Sequence, residues 1–267
     1  EFPRVGMFVY SDEEVRMCRR LSAACVATFE SAALTEAIAN DVQVDFHLPP
    51  DVLQFDVPAP AAGGIVWLPY HSWNAGIAGA IDRLTDVRER GWKIGVFTPD
   101  NFTEINRSRP DLAQVDALGY GVCPQVHAFD ERTLFENAWT AGETFESARQ
   151  FAQGKPVVPI VRFANGRDGR VESETAFAYR LMVLASLAGA GCSRFVFAEV
   201  AQTAQDSPAV RELWAILKLE PLEVHVERAG TTSRIEFHGA HGRLAYQLNG
   251  SPFAADGLEP FSVRKEQ

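Results

Sequence analysis

The sequence predicts an α/β protein, namely a (β/α)8 TIM barrel with a small C-terminal antiparallel β appendage. Eight short apolar runs, separated by helix-like or loop segments, recur within about 200 residues, and this is the number of units that such a barrel needs. Runs such as IVWLP and FVFAE are apolar at nearly every position, which is typical of parallel strands covered by helices. A doubly wound open sheet is the alternative, but no glycine-rich nucleotide-binding motif follows any of the runs.

We assign one strand to each apolar run, in chain order. The predicted strands are Arg4–Tyr10, Cys25–Glu30, Val42–Leu48, Gly64–Pro69, Trp92–Thr98, Gly119–Cys123, Pro156–Phe163 and Ser193–Glu199. Amphipathic patterns between them predict helices at Asp12–Ala24, Ile77–Arg90, Glu131–Gln153 and Ser173–Ala190. Ser11 offers an N-cap for the first helix, and acidic residues follow it in the first turn. Gly91 ends the second helix before Trp92 begins a strand.

The last part of the chain has a different pattern. From about Pro221 onwards, the segments LEVHVER, SRIEFHG, GRLAYQLN and EPFSVRK alternate apolar and polar residues and are separated by glycine-rich turns. This alternation predicts short antiparallel strands. We therefore expect the barrel to occupy residues 1–220 and the β appendage, packed on the barrel, to occupy residues 221–267.

Composition and charge narrow the classes of function. The net charge of −10 and the scattered basic residues argue against nucleic acid as a partner. No apolar run reaches the roughly 18 to 20 residues of a membrane span, and no signal peptide stands at the start. The four cysteines show no C-x-x-C spacing, so neither a zinc knuckle nor a disulfide scaffold is favoured. We expect a cytoplasmic protein with reduced, mostly buried thiols.

Polar side chains follow the predicted strands at the end where TIM-barrel enzymes carry their catalytic residues. The set comprises Glu30, Asp45, His47, Tyr70, His71, Trp73, Thr98, Asp100, Asn101, Glu104, Asn106, Arg107, Gln125, His127, Asp130, Arg162 and Glu199. It is acidic, and it contains three histidines with aromatic neighbours. These side chains predict a pocket for a hydroxylated small molecule such as a sugar or a sugar acid.

Two carboxylates are candidates for acid and base chemistry. Glu199 closes a strand that is otherwise apolar, and Glu104 follows the fifth strand. The fifth and eighth strands lie three apart around the ring, so the two side chains can face each other across the barrel mouth. Two such carboxylates can serve as acid and base, or as nucleophile and acid, when burial makes their pKa values different. The structural alternatives are an ion pair of Glu104 with Arg107 or Arg109 and a salt bridge of Glu199 at its strand end.

His127 is a candidate general base or proton shuttle, because an ordinary histidine titrates near neutral pH. Gln125 points the same way on the period of two that a strand imposes, and the alternative for His127 is a hydrogen bond to the backbone. A metal site built from His47, His71 and His127 is conceivable, since all three end predicted strands. The sixth strand is not a neighbour of the third and fourth, and no E-x-x-H spacing supports such a site. We therefore predict neither metal nor cofactor.

Two blocks of the sequence resemble the D-apionate lactonase family. They are NFTEINRSRPD (Asn101–Asp111) and PQVHAFDERTLFEN (Pro124–Asn137), which are similar to the family's F-x-E-L-N-R-x-R-P and N-P-Q-V-H-A-F-D stretches with a following L-x-E. A looser likeness extends over the fifth to eighth strands. The resemblance implies a TIM-barrel hydrolase that acts on a branched-sugar lactone. The polar residues that match are Glu104, Asn106, Arg107, Gln125, His127, Asp130 and Glu199.

The chain departs from this family at three places. Where the family has T-L-R-P-R at the seventh strand, this chain has VRFANGR and keeps Arg162. The segment AEVAQTAQDSP, which contains Glu199, lacks the G-W-R-G-type loop of the family. Family members usually carry a β-rich domain ahead of the barrel, and this chain begins at the barrel. We expect a divergent member of the family that lacks the N-terminal β domain.

We predict from these observations that the protein is an enzyme, a hydrolase that opens a sugar-acid lactone. The predicted catalytic residues are Glu199, Glu104 and His127. The predicted substrate-binding residues are Asn106, Arg107, Gln125, Asp130, His71 and Arg162. Two alternatives stay open, a retaining glycoside hydrolase that uses Glu104 and Glu199 and a non-catalytic barrel that binds carbohydrate or protein. A carboxyl separation of roughly 5 to 5.5 Å would favour the glycoside hydrolase.

Overall fold

The structure is a computed structural model of the chain. It describes residues 3–9, 14–16, 18, 24–28, 44–47, 64–70, 88–89, 91–123, 128, 130–162, 174–198, 208–251, 254–259 and 261–266.

Eight parallel strands close into a barrel in which each strand pairs with the next and the eighth pairs with the first. The strands are β1 (Arg4–Val9), β2 (Ala24–Thr28), β3 (Val44–His47), β4 (Ile65–Pro69), β5 (Lys93–Asn101), β6 (Ala117–Val122), β7 (Val157–Val161) and β8 (Arg194–Phe197). Each of them overlaps the strand that the sequence predicts. The predicted (β/α)8 barrel is therefore confirmed.

Four helices belong to the described part of the chain. They are α1 (Phe102–Arg107), α2 (Glu131–Phe151), α3 (Glu174–Gly189) and α4 (Pro208–Leu217). The helices α2 and α3 were predicted with nearly the observed bounds, and residues 14–16, 18, 88 and 89 are helical within two other predicted helices. The sequence did not predict α1 and α4. Among the described residues, no helix combines the length and the apolar character that crossing a membrane requires.

Helix α3 is apolar on nearly all sides because it packs against several elements at once. It contacts α2, α4 and two strands of the C-terminal sheet, and such a helix has no exposed face to make polar. Helix α2 approaches it closely at Gly142, where a Cβ would lie 2.7 Å from the carbonyl oxygen of Ser186. The Gly142 N–H donates to the Ser186 hydroxyl at 2.9 Å. Glycine is required at this position by the packing of the two helices.

The C-terminal segment forms a separate four-stranded antiparallel sheet, as predicted. Its strands are β9 (Pro221–Ala229), β10 (Thr232–Gly239), β11 (Gly242–Asn249) and β12 (Ser262–Lys265), in the order β12-β11-β10-β9. The Tyr246 ring lies 5.5 Å from the Phe177 ring of α3 between centroids, and its hydroxyl donates to Glu212 of α4 at 2.9 Å. The sheet thus contacts helices of the barrel's outer layer. The division into two domains at residue 220 stays a prediction.

One large ring in the interior of the barrel is set against two glycines. Trp67 of β4 is 2% exposed, and its neighbours on β5 and β6 are Gly95 and Gly119. A Cβ at Gly95 would lie 2.5 Å from a Trp67 ring carbon, and one at Gly119 would lie 3.1 Å from another. The indole N–H donates to the buried carboxylate of Asp45 at 3.0 Å. Large and small residues on adjacent strands are thus matched in the space that closure of the barrel leaves.

Candidate functional site

The carboxyl-terminal rim of the barrel is where the predicted site residues should meet, because all eight parallel strands end there. Five of the predicted residues are described, namely Glu104, Asn106, Arg107, Asp130 and Arg162. The remaining four, His71, Gln125, His127 and Glu199, lie outside the described residues. The distance between Glu104 and Glu199 would distinguish the lactonase from the retaining glycoside hydrolase, but Glu199 is not among the described residues.

Helix α1 begins directly at the end of β5 and carries three of the predicted residues. It is held by Ile105, which is fully buried, and by the hydroxyl of Tyr70, which donates to the Ser108 carbonyl at 2.8 Å. Glu104 is half-buried, whereas Asn106 and Arg107 are exposed. The predicted residues of α1 therefore have different environments, with Glu104 the most enclosed of them.

Asn106 is exposed, and its hydrogen-bond partner is Arg109. Its side-chain oxygen accepts a long hydrogen bond of 3.5 Å from the guanidinium of Arg109. That guanidinium in turn lies over the Phe151 ring at 4.6 Å, at the last residue of α2. Through Arg109, Asn106 is therefore connected to the C-terminal end of α2.

Asp130 has a structural task at the start of α2. It is the N-cap residue, and its carboxylate accepts the Thr133 N–H at 2.9 Å and the Thr133 hydroxyl at 2.7 Å. These bonds, with the backbone N–H first, lower the pKa of Asp130 below its ordinary value. Both carboxylate oxygens are thus engaged by Thr133 in this structure.

The described floor of the mouth contains a buried histidine. His47 is the last residue of β3 and is 8% exposed. Its ring centroid lies 4.2 Å from that of Phe97, 5.0 Å from that of Phe8 and 6.0 Å from that of Trp67. Each of these aromatic residues comes from a different strand, so closure of the barrel creates the pocket that holds the imidazole.

His47 is held in its neutral form. Burial among aromatic rings lowers its pKa to about 3, with smaller contributions from the positive charges of Arg162 and Arg194. Arg162 follows the last residue of β7 and is half-buried. Its backbone N–H donates to the Val122 carbonyl at 2.8 Å. The charge of the predicted substrate-binding arginine thus adds to the effect of burial and helps to keep the imidazole neutral.

This combination suits an oxygen-rich ligand. A neutral imidazole offers one donor and one acceptor, and a guanidinium offers a planar fork of donors. A neutral histidine can polarise a carbonyl group by donating a hydrogen bond to it. The sequence placed His47 in the polar set that predicts the pocket and offered it as a metal ligand, but it was not among the predicted catalytic or substrate-binding residues. The signal was present in the alternation of VDFH, which puts Asp45 and His47 on one face of a strand.

Within the described ranges, no group of three or more His, Cys, Asp or Glu side chains could hold a metal ion. Of the three histidines that the sequence offered as ligands, only His47 is described. The prediction that the protein uses no metal is therefore not tested by this geometry.

A family model described as "D-apionate lactonase, TIM barrel domain" matches residues 81–161. The matched segment runs from before β5 to the last residue of β7 and contains both blocks, Asn101–Asp111 and Pro124–Asn137. The resemblance predicted from these blocks is therefore confirmed over this segment. No protein with a curated description matches the chain.

Three solved structures that resemble this chain have low sequence identity to it. An HpcH/HpaI aldolase from Desulfitobacterium hafniense DCB-2 is 14% identical with a TM-score of 0.41, and the match covers 83% of this chain and 94% of that chain. SrfJ from Salmonella typhimurium is 10% identical with a TM-score of 0.45, covering 93% and 83%. An endo-β-1,4-mannanase from Thermotoga petrophila is 9% identical with a TM-score of 0.41, covering 99% and 90%. The barrel assignment accordingly rests on the strand pairing of this chain itself.

Proposed function

We propose that this chain hydrolyses the lactone of a sugar acid at the carboxyl-terminal mouth of its barrel. The observation that carries the proposal is the match of residues 81–161 to the TIM barrel domain of D-apionate lactonase. This segment supplies β5, α1, β6, α2 and β7, which include three of the eight strands of the ring and the two predicted polar blocks. Closure of the barrel supports a shared mouth for residues that follow these strands.

Lactone hydrolysis requires few groups. Water attacks the carbonyl carbon while a base takes its proton, and the carbonyl oxygen becomes an oxyanion in the tetrahedral intermediate. The bond from the carbonyl carbon to the ring oxygen then breaks, and the ring oxygen takes a proton to become a hydroxyl group. The product is an open-chain hydroxy acid. The site must therefore supply one base, one proton donor and hydrogen-bond donors to the oxyanion.

We assign these tasks to the residues around the mouth. Glu199 or His127 takes the proton from water, and Glu104 is the second acid–base group. Neutral His47 and cationic Arg162 donate hydrogen bonds to the carbonyl oxygen or to the substrate hydroxyl groups. The lowered pKa of His47 makes it a poor base but keeps its N–H available as a donor throughout the neutral range.

A substrate panel tests the reaction class. The purified chain is offered aldonolactones of four-, five- and six-carbon sugar acids, and acid release is measured near neutral pH against a buffer blank. Aryl glycosides form the second arm. Saturable acid release from a lactone supports the proposal. Release of the aryl group instead would favour the retaining glycoside hydrolase, and activity on neither class would favour a barrel that only binds.

Arg162 provides a test of the substrate contact. The Arg162→Gln variant should lower kcat/KM for the best lactone about tenfold to a hundredfold, because a hydrogen bond to a charged group contributes roughly 1.5–3 kcal/mol. Arg243→Gln is the matched control, since that side chain is 60% exposed on β11 and pairs with Glu236. Equal kcat/KM values for the two variants would remove Arg162 from the site.

A further inference from the structure

The floor of the barrel mouth is a layer of inward-facing side chains, one from each odd-numbered strand. The layer comprises Phe8 of β1, His47 of β3, Phe97 of β5 and Ile160 of β7. The three apolar members belong to the cluster of side chains inside the ring, and the His47 ring packs against both phenyl rings. Such layers from alternate strands stack along the axis of a TIM barrel. His47 is the polar member of an otherwise apolar floor.

Solvent reaches this floor from the mouth. Phe8, His47 and Phe97 are each 8% exposed, whereas Trp67, which lies nearer to the amino-terminal end of the barrel, is 2% exposed. None of the three lines the cavity at that amino-terminal end. The exposed parts of the two phenyl rings and of the imidazole therefore face the carboxyl-terminal rim, where a ligand in the mouth would contact them.

Small residues form the wall directly above the floor. Pro69 of β4 is the register partner of Phe97, and Gly121 of β6 is the register partner of Ile160. Ala198 follows the last residue of β8 and packs against the interior cluster while staying partly exposed. These residues carry no long side chain, so the wall leaves room for part of a ligand to reach the floor.

An apolar floor distinguishes a hydroxyl group from a methyl group. A hydroxyl group placed against Phe8 or Phe97 loses its hydrogen bonds to water and gains no comparable partner from a phenyl ring. A methyl or methylene group at the same place is removed from water favourably. The neutral imidazole of His47 offers one donor and one acceptor, which suffices for a single polar group beside the rings.

The polar groups of the mouth lie above this floor. Arg162 comes two residues after Ile160, and its backbone N–H continues the strand pairing of β7 with β6. The period of two along a strand therefore places Arg162 on the same inward face, one level nearer to the rim. A ligand that fits both levels has its oxygen atoms towards the rim and an apolar end on the floor.

We propose that the substrates of this mouth are lactones of deoxy-sugar acids, which place a methyl or methylene group against Phe8 and Phe97. The inference rests on the lactone hydrolysis proposed above and specifies the class of sugar acid. His47 and Arg162 then bind oxygen atoms of the same substrate beside and above its apolar end. Phe8 and Phe97 act as specificity-determining residues and take no part in the bond-breaking steps.

Substrate pairs that differ by one hydroxyl group test the floor. L-Rhamnonolactone has a methyl group where L-mannonolactone has a hydroxymethyl group, and deoxyribonolactone has a ring methylene group where ribonolactone has a hydroxyl group. For at least one pair, kcat/KM should be about tenfold to a hundredfold higher for the deoxy member, the range over which an apolar pocket discriminates against an added hydroxyl group. Calorimetric titration with the matching open-chain acids measures the same preference without turnover.

The two measurements separate this inference from the proposed reaction. Faster hydrolysis of a deoxy lactone supports both. Hydrolysis in which the hydroxylated member of each pair reacts equally fast or faster overturns the inference and leaves the hydrolase intact. Tighter binding of a deoxy acid without turnover of any lactone supports the apolar floor and contradicts the hydrolase. Neither turnover nor a binding preference would overturn both.

Ala198→Leu tests the position of the site. Met7 pairs with Phe197, so the next residues along the two strands, Phe8 and Ala198, lie side by side, and a leucine there would obstruct the way to the floor. The preference for the deoxy member should fall about tenfold. Ala113→Leu is the matched control, because Ala113 is exposed in the loop before β6, and it should keep the preference.

The preference is a ratio of two rates within one variant, so a loss of folded protein does not change it. A preference in Ala198→Leu equal to that in Ala113→Leu and in the unaltered chain would overturn the assignment of substrate selection to this floor.

Discussion

Replacing Asp45 with Asn should destabilise the barrel strongly, although the two side chains have nearly the same shape. Asp45 is 0% exposed inside the ring. It accepts hydrogen bonds from Ile65 N at 3.1 Å, Trp67 Nε1 at 3.0 Å and Arg194 Nη2 at 2.6 Å. An amide group provides one acceptor oxygen and no charge, so the substitution leaves the Arg194 cation buried without a counterion.

The magnitude follows from these contacts. Breaking a buried ion pair by removing one partner costs about 3–5 kcal/mol. Counting the interactions separately leads to a similar result, since a charge-assisted bond contributes about 1.5–3 kcal/mol and a neutral bond about 1 kcal/mol. The Asp45→Leu/Arg194→Met double variant should be less destabilised than Asp45→Asn, because it buries no unpaired charge.

Urea unfolding followed by far-UV circular dichroism measures the effect without relying on the fluorescence of Trp67, which is itself in the network. The matched control is Glu136→Gln, which breaks the Arg132–Glu136 pair at 2.8 Å between side chains that are 70% and 63% exposed. That change should cost less than about 0.5 kcal/mol. A loss for Asp45→Asn as small as the loss for Glu136→Gln would refute the claim that the buried pair organises the barrel interior.

Two further perturbations address the barrel and its mouth. Gly95→Ala should lower the free energy of unfolding by about 1–3 kcal/mol, because the new Cβ would lie 2.5 Å from the Trp67 ring. The control Gly189→Ala places its Cβ in open space and should be neutral or slightly stabilising. Equal stabilities of the two variants would contradict the close packing of Gly95 against Trp67. The unfolded chain protonates His47 near pH 6.5, whereas the folded chain keeps it neutral down to a pKa of about 3. Stability should therefore fall as the pH drops through this window. Between about pH 7 and 5, His47 should lower the free energy of unfolding by roughly 2 kcal/mol. Urea unfolding at both pH values should show this loss in the control His241→Gln, which changes an exposed histidine, but not in His47→Gln. A His47→Gln variant with the same pH dependence as the unaltered chain would contradict the neutral state of His47.

The strands of the barrel could be predicted because parallel strands buried on both faces must be apolar throughout. IVWLP and FVFAE are such runs; β4 coincides with the first, and β8 overlaps the second. Helix α1 could not be predicted in the same way, because its six residues are too few for a 3.6-residue period to show. Its position depends on tertiary contacts, such as the bond from Tyr70 to Ser108, that join segments far apart in sequence.

The candidate site was predictable only in part. The order of strands predicts that residues after β5 and β7 share a rim, and Glu104 and Arg162 follow from that rule. The neutral state of His47 does not follow from that rule. It depends on rings of β1, β4 and β5 and on the charges of Arg162, after β7, and Arg194 of β8. Asp130 shows the opposite case, since its spacing to Thr133 predicts an N-cap as readily as a ligand contact.

Turnover of a lactone by Glu199→Gln tests the proposed function most directly. The matched control is Glu143→Gln, the same change at an exposed position of α2. If Glu199 acts on the attacking water or on the leaving oxygen, kcat should fall by about a hundredfold or more in the first variant and stay unchanged in the second. Equal turnover by the two variants would contradict a hydrolytic site built around Glu199 at the mouth of the barrel.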